Sequence, residues 1–289
     1  MRILFLLISL FIAGVSPLHA AQSVIIDSDG YACMGDDRSR KQTENAAVQE
    51  ARRNAGEAAV AYISTETKVS DGLLEKDIVT AYANAQVKLV KELLKEWFDD
   101  PASGKCYRVK LKLEVLPDEK AMNNRAEKNN AQMLDDPNAP LTVKVWTTRT
   151  DYKTKDNIKV FIKGNRPFFG KLVYQDAGNN LIQLLPNPYR QSNYFNGGSV
   201  YEVPTGVDRF ALQVCAPFGT EKLFLYASTS PLGEVKTQAV GGVYAIQTQT
   251  KDLGQNMRGI QIVPDNNKSK PVEVAEFAEA HWQITTHAQ

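Results

Sequence analysis

Seven short apolar runs between residues 141 and 228 restrict the fold of this chain more than any other feature. The runs lie at 141–149, 157–163, 168–175, 181–185, 199–203, 209–216 and 221–228. Turn-forming sequences separate them, for example at 176–180 and 196–198. Short apolar runs with Gly- and Asn-rich turns between them are typical of antiparallel strands. The sequence therefore predicts an immunoglobulin-like β-sandwich over 141–289.

Residues 105–116 show the most regular alternation in the chain. The apolar positions are Tyr107, Val109, Leu111, Leu113 and Val115, and the positions between them are Arg108, Lys110, Lys112 and Glu114. A period of two indicates a strand with one buried face and one face in water. We expect the charged face to be solvated; an anion site on this largely basic face is the less favoured alternative.

A helix is predicted to follow residue 39. Ser39 and Gln42 have the spacing of a capping box. Small and apolar residues then recur every three or four positions, at Ala47, Ala51, Ala55, Ala58, Ala59, Tyr62 and Ile63. This spacing places them on one helical face, and the alanines allow a close approach to whatever that face covers. We interpret the stripe as core packing.

The remaining N-terminal segments are less regular. Residues 22–34 read as a strand with a possible bend at Asp29 and Gly30. Periodicity in 85–98 favours a helix, although a turn at 99–104 would also suit a strand paired with 105–116. Residues 117–140 are Asn-rich and bounded by prolines, which indicates an interdomain linker. The chain is thus divided into a domain at 21–116, a linker, and a domain at 141–289.

Near the C-terminus two further elements are predicted. Pro271 is suited to start a short helix, because proline is tolerated in the first turn. Residues 282–286 could form a last strand.

The first 20 residues have the pattern of a secretory signal peptide. Arg2 precedes a largely apolar run at 3–15, Pro17 ends the run, and Ala20 is a small residue suited to cleavage. The run is shorter than the roughly 20 residues that a membrane-spanning helix requires. We therefore expect cleavage near Ala20, a periplasmic or secreted protein, and no integral membrane span after cleavage.

Three cysteines follow the predicted signal peptide, at Cys33, Cys106 and Cys215. An exported protein meets an oxidising compartment, where a disulfide can form. Cys33 ends the first predicted strand and Cys106 begins the last one of the N-terminal domain, so antiparallel neighbours would bring them together. A Cys33–Cys106 disulfide and two packed thiols are both compatible with this placement. Cys215 lies in an apolar run and reads as a buried thiol.

Catalytic and cofactor signatures are not found in the sequence. Lys and Arg number 34 and Asp and Glu 33, so no bulk charge favours a nucleic acid partner. The only histidines after residue 20 are His281 and His287, and zinc-type spacings do not occur. The Gly-x-Ser-x-Gly and phosphate-loop patterns are missing, and the acids starting at Asp27 do not fit an EF-hand. We expect no catalytic residue, no metal and no cofactor.

The loop at 186–197 is the best candidate for recognition. Tyr189, Arg190, Tyr194 and Phe195 lie there among turn-forming residues. Exposed aromatic side chains with arginine are typical of binding surfaces, and aromatic rings can also stack on sugars. The alternative is that the loop folds back on its own sandwich.

The C-terminal half resembles a bacterial family known as domain of unknown function 4384. The resemblance is carried by 152–158 (YKTKDNI), 172–178 (LVYQDAG), 184–187 (LLPN), 197–198 (GG), 201–204 (YEVP) and 216–221 (APFGTE). It implies an immunoglobulin-like sandwich and implies no activity.

The N-terminal half resembles the first domain of flagellar assembly protein T and related small outer-membrane lipoproteins. The matching residues are 29–32 (DGYA), 51–55 (ARRNA), 72–74 (GLL) and 107–111 (YRVKL). The resemblance implies one long helix on a small antiparallel sheet, with 85–98 as strand. The expected fold class is therefore α+β: a helix-on-sheet domain followed by a β-sandwich.

These observations favour a non-catalytic, exported envelope protein that docks onto other envelope proteins as an assembly accessory. A glycan- or peptidoglycan-binding module is the alternative. An unrecognised hydrolase is a third reading, which a pocket holding acids with shifted pKa values would favour.

Overall fold

The computed structural model describes residues 21–67, 72–118, 132–240, 243–248, 250–258 and 274–288. Its helices are α1 (Arg40–Glu66), α2 (Gly72–Ala83) and α3 (Thr250–Met257). The strands of the N-terminal half are β1 (Ala21–Cys33), β2 (Gln86–Asp100) and β3 (Gly104–Leu116). Those of the C-terminal half are β4 (Val143–Thr147), β5 (Asp151–Lys153), β6 (Asn157–Ile158), β7 (Val160–Gly164), β8 (Phe168–Gln175), β9 (Leu181–Leu185), β10 (Tyr194–Phe195), β11 (Val200–Val203), β12 (Leu212–Gln213), β13 (Thr220–Ser228), β14 (Thr237–Val240), β15 (Val243–Ile246) and β16 (Val274–His287).

One large sheet runs through both halves of the chain. Its strand order is β14-β15-β9-β8-β13-β16-β1-β3-β2, with β10 added beside β8 and β5 beside β16. All of its pairs are antiparallel except β5 with β16. A second sheet has the order β11-β7-β4, and β12 pairs with β6. The strand β16 joins the halves, because it pairs with β1 on one side and with β13 on the other.

The helix α1 covers the N-terminal end of the large sheet. The predicted capping box is formed: the Ser39 hydroxyl accepts from the Gln42 backbone N–H, and the Gln42 side chain accepts from the Ser39 N–H. The predicted stripe is also confirmed, since the residues Ala47, Ala51, Ala55, Ala59 and Ile63 are fully buried. The strand β1 runs through Gly30 without the predicted bend.

The segment 85–98 is a strand, as the resemblance implies, and the helical interpretation of its periodicity is wrong. The register of β2 against β3 shifts between Leu89 and Lys91 and again between Glu92 and Leu94. Each bulge adds one residue to an alternating pattern. Two bulges in close succession therefore turn a period of two into a spacing of three, at 87, 90 and 93, which resembles a helix.

The C-terminal half is the expected antiparallel sandwich. Each of the seven predicted apolar runs contains a strand, and β5 and β10 lie in addition between them. The sheets face each other across a shared core, to which β7 contributes Val160 and Ile162, and the large sheet contributes Leu172, Leu225 and Ile284. The α+β fold class, a helix on a sheet followed by antiparallel sheets, is confirmed.

The C-terminal strand corrects two expectations. Residues 271–273 lie outside the described part of the chain, but from Val274 onward the backbone is strand, so a helix continuing from Pro271 is wrong. The strand is also longer than the predicted 282–286. Its residues face a different core at each end: Val274 packs against the core under α1, and Ala278 and Ala280 lie in the sandwich core.

Glu276, near the start of β16, connects the two cores. Its side chain is 3% exposed and accepts hydrogen bonds from the Tyr62 hydroxyl on α1, from the Arg166 guanidinium and from the Leu141 backbone N–H. Because these groups come from both halves, the carboxylate fixes the helix against the sandwich. Part of the predicted linker is packed as well, since Met133 and Ala139 are buried in the core under α1.

The second face of the large sheet, opposite α1, is covered in the middle by residues that precede β14 and by α3. Leu232, together with Leu253 and Met257 of α3, packs on Tyr226 and Phe277. Among the described residues, no helix is both long and apolar enough to cross a membrane.

The cover over the second face overturns the prediction that the charged face of 105–116 is solvated. Lys112 is 1% exposed and Glu114 is 6% exposed. Lys112 forms an ion pair with Asp27, and Glu114 forms one with Arg258, which follows α3. Arg108, nearer the other end of the strand, is exposed as expected. Alternation identified the first buried face correctly but carried no information on what covers the second.

Candidate interaction surface

The predicted recognition loop is anchored in the sandwich core by Phe195. The ring of Phe195 is 1% exposed and lies 5.1 Å from that of Phe168, with Tyr201 edge-on at 5.1 Å. The prediction that Phe195 is an exposed recognition residue is therefore wrong. The strand β10 pairs with β8, so Tyr194 and Phe195 point to opposite sides, and Gly170 on β8 leaves room for the buried ring.

Arg190 also serves to hold the loop. Its Nη1 lies 3.1 Å from Oδ2 of Asp208, and both side chains are mostly buried. Burial by itself would raise the pKa of Asp208, but the Thr205 backbone N–H and the Arg190 guanidinium hold it below its usual value. Arg190 thus ties the loop to the 205–208 turn, and its charge is already paired.

Asn187 fixes the turn at the start of the loop. Its Oδ1 accepts from the backbone N–H groups of Tyr189 and Arg190, both at 2.8 Å. Its Nδ2 donates to the Leu184 carbonyl at 2.7 Å, and Asn187 is 4% exposed. The turn is therefore held by bonds made within the protein.

Two tyrosines of the loop remain exposed on this fixed base. Tyr189 is 57% exposed and stacks on Phe210, with ring centroids 6.2 Å apart. Tyr194 is 49% exposed and meets Phe169 edge-on at 5.1 Å. We call these four residues the tyrosine surface. The structure retains two of the four predicted residues as outward-facing groups and uses the other two as anchors.

An open pocket of about 460 Å³ lies elsewhere, on the second face of the large sheet. Glu114 and Glu279 lie on either side of Arg258 there. Burial, aided by the charge of Glu114 and opposed by Arg258, raises the pKa of Glu279. This cluster could not be read from the sequence, because its members come from distant segments. Arg258 contacts both carboxylates, and Ser23 also donates to Glu114 at 2.7 Å.

Neither histidine lines this pocket, although His281 contacts one of its lining residues. His281 stacks on Phe224 with centroids 6.1 Å apart, and burial together with Lys222 lowers its pKa. His287 Nε2 lies 2.9 Å from the Asp151 carboxylate. In the described part of the chain, no three His, Cys, Asp or Glu side chains come together as metal ligands.

The structure contains a Cys33–Cys106 disulfide. The two residues are directly opposite in the β1–β3 register, which is the arrangement that antiparallel neighbours were expected to give. Cys215 is exposed, so the prediction of a buried thiol is wrong. The strand β12 ends at Gln213 and Val214 takes the buried position, which turns the next side chain outward.

The described residues between 141 and 288 thus form an antiparallel sandwich that carries an aromatic loop. Within it, residues 151–231 match a family described as Domain of unknown function (DUF4384). The match begins at β5, ends just after β13 and includes the whole tyrosine surface, so the resemblance of the C-terminal half is confirmed. No curated protein matches the chain.

Proposed function

We propose that this protein is a non-catalytic, exported envelope protein that binds other envelope proteins through the tyrosine surface. The observation that carries the proposal is the pair of exposed tyrosines on a base of buried anchors. Tyrosine supplies a large contact area at a low cost in side-chain entropy, and it is enriched where proteins bind one another.

The surroundings of the surface support a protein partner. Val207 is 89% exposed and lies next to Asp208, the residue that holds Arg190. Val207 thus adds an exposed apolar side chain to the turn that holds the loop, and the charges of Arg190 and Asp208 neutralise each other. Patches with an apolar centre are favoured at protein interfaces.

The proposed location outside the cytoplasm has two independent supports. The first is the signal-like sequence at 1–20. The second is the Cys33–Cys106 disulfide, because such bonds persist mainly in oxidising compartments.

The test is site-specific photo-crosslinking in the native envelope, with the photoreactive group at position 194. We expect discrete crosslinked proteins that the Tyr189→Ala substitution depletes. The matched control carries the group at position 31, because Tyr31 is 61% exposed but lies in the N-terminal half. The proposal fails if positions 194 and 31 give the same products, or if Tyr189→Ala changes nothing.

A glycan ligand is the second candidate, favoured by the same exposed rings. It predicts that purified protein sediments with isolated peptidoglycan, that Tyr189→Phe and Tyr194→Phe retain this, and that the alanine variants lose it, because stacking needs the ring. Sedimentation that is equal in all variants would exclude the tyrosine surface as a sugar site.

A further inference from the structure

The strand β2 lies at one end of the large sheet and has an open edge. It pairs with β3 on one side, and no strand of the described residues pairs with its other side. With 15 residues it is also the longest strand in the described part of the chain. An open edge presents unpaired backbone N–H and C=O groups, to which a further strand can add.

The middle of β2 carries apolar side chains that the cores of the protein do not use. Leu89 and Leu94 are 38% and 37% exposed, and Val90 and Leu93 are half-buried. None of the four packs against any of the three cores formed by the described residues. Apolar side chains surrounded by charged ones are the usual arrangement of a protein interface.

The charges of β2 are arranged symmetrically about Leu94. Because β3 is regular where β2 is bulged, distances along β2 can be counted in residues of β3. Glu92 and Lys95 each lie one step from Leu94, in opposite directions. Lys91 and Glu96 each lie two steps away. The bulge between Glu92 and Leu94 makes these distances equal, so the two members of each pair lie on the same face of the sheet and have opposite charge.

We propose that β2 pairs antiparallel with β2 of a second copy of this chain, about a two-fold axis at Leu94. In such a symmetric pair, each residue lies opposite the partner's residue that is equally far from the axis. Lys91 then lies opposite the partner's Glu96, and Glu92 lies opposite the partner's Lys95. Each of these ion pairs occurs twice, and the two Leu94 side chains meet at the centre.

The charges also select this arrangement over its neighbours. A parallel pairing in register would place every charged residue opposite itself. An axis moved by one position, to Glu92 or to Lys95, would place that residue opposite its own copy. Like charges directly opposite each other destabilise a strand pair. The axis at Leu94 is therefore favoured over both adjacent positions.

Within one chain these charges are only weakly held. Lys91 lies opposite another lysine of β3, which cannot neutralise it. Glu92 pairs with Lys95 and Glu96 pairs with Arg108, but these four side chains are 38–52% exposed. Exposed ion pairs contribute little to stability, so sharing these groups with a partner costs little.

The substitution Leu94→Cys tests the position of the axis. Opposed residues of an antiparallel pair have Cα atoms about 4.5–5.5 Å apart, which a disulfide can span. In a Cys215→Ser background, which removes the exposed free thiol, mild oxidation should give a covalent dimer. The matched control is Leu89→Cys, which is equally exposed. The two copies of residue 89 would lie about 20 Å apart, so this variant should stay uncrosslinked.

Exchange of charges tests the pairing itself, with sedimentation equilibrium of the purified protein as the measurement. The wild type should have twice the mass of one chain. Lys91→Glu or Glu96→Lys places like charges opposite each other twice, and either should raise the dimer dissociation constant about tenfold or more. An equimolar mixture of the two variants should recover the dimer, because opposite charges then meet again. The same charge change at the exposed Lys159, in the sandwich, should have no effect.

A wild-type protein that keeps the mass of one chain at every concentration overturns the inference. So do equal crosslinking of the Leu94→Cys and Leu89→Cys variants, a dimer that Lys91→Glu leaves unchanged, and a mixture of charge variants that does not associate. The variants Glu92→Lys and Lys95→Glu repeat the mixing experiment at the second ion pair, so a single variant that fails to fold does not decide the result. These measurements do not involve the tyrosine surface, and the inference does not depend on it.

Discussion

The contact of α1 with β1 at Gly30 gives the sharpest test of the fold. A Cβ atom built on Gly30 would lie 2.2 Å from the carbonyl oxygen of Ala47 and 2.5 Å from the backbone nitrogen of Ala51. Non-bonded heavy atoms are at their optimum near 3.5–4.0 Å, so the helix would have to move by about 1 Å. Both contacted atoms are backbone, and no side-chain rotation can relieve the overlap.

Gly30→Ala should therefore lower the free energy of unfolding by about 1–3 kcal/mol, the usual cost of overpacking a core. The loss should fall toward the upper end, because displacing the helix also loosens the packing of Ala47 and Ala51, which are fully buried. Urea denaturation followed by far-UV circular dichroism measures the difference.

Gly56→Ala, in the helix α1 that contacts Gly30, is the matched control. A Cβ at Gly56 meets nothing within 4 Å. Alanine is a better helix former than glycine, so this variant should be more stable by about 0.5–1 kcal/mol. If Gly30→Ala is as stable as the wild type, α1 does not lie against β1 at this depth and the reasoning is refuted.

Three further predictions concern single interactions. Replacing Cys33 and Cys106 by serine removes a cross-link over 73 residues and should cost about 4 kcal/mol by the chain-entropy model, measured by urea denaturation; a midpoint insensitive to reductant in the wild type would contradict this. Arg166→Ala leaves the Glu276 carboxylate buried without its cation and should lower the free energy of unfolding by about 3–5 kcal/mol. Adding Glu276→Gln to this variant should recover part of the lost stability. If it recovers none, the buried charge is not the cause of the loss. Because the pKa of His281 is lowered, the folded state favours the neutral ring, and this residue makes the protein less stable as the pH falls below 6.5. The substitution His281→Gln should therefore reduce this part of the pH dependence of the urea midpoint. An unchanged slope of the urea midpoint against pH would contradict the prediction.

The candidate surface was half predictable. The aromatic residues among turn formers predicted a loop with exposed rings, and Tyr189 and Tyr194 do face outward. The anchoring role of Phe195 depends on a two-residue pairing with β8, and that of Arg190 on a carboxylate 18 residues away. Neither partner is indicated by the loop sequence itself.

The sequence by itself determined the local structure and the first buried face of each element. The alanine stripe of α1, the alternation of β3 and the apolar runs of the sandwich depend on backbone geometry and on side chains within a few residues. For Cys33 and Cys106 the sequence left a disulfide and two packed thiols open, and the antiparallel pairing of β1 with β3 decided for the disulfide.

Only the tertiary structure decided what covers the second face of the large sheet and how the halves are joined. Lys112 and Glu114 look like surface residues until Asp27 and Arg258 neutralise them from distant parts of the chain. The strand β16 likewise has its place because β1 and β13 both offer it an open edge. Burial of a charge and the pairing of a strand depend on partners that no local pattern identifies.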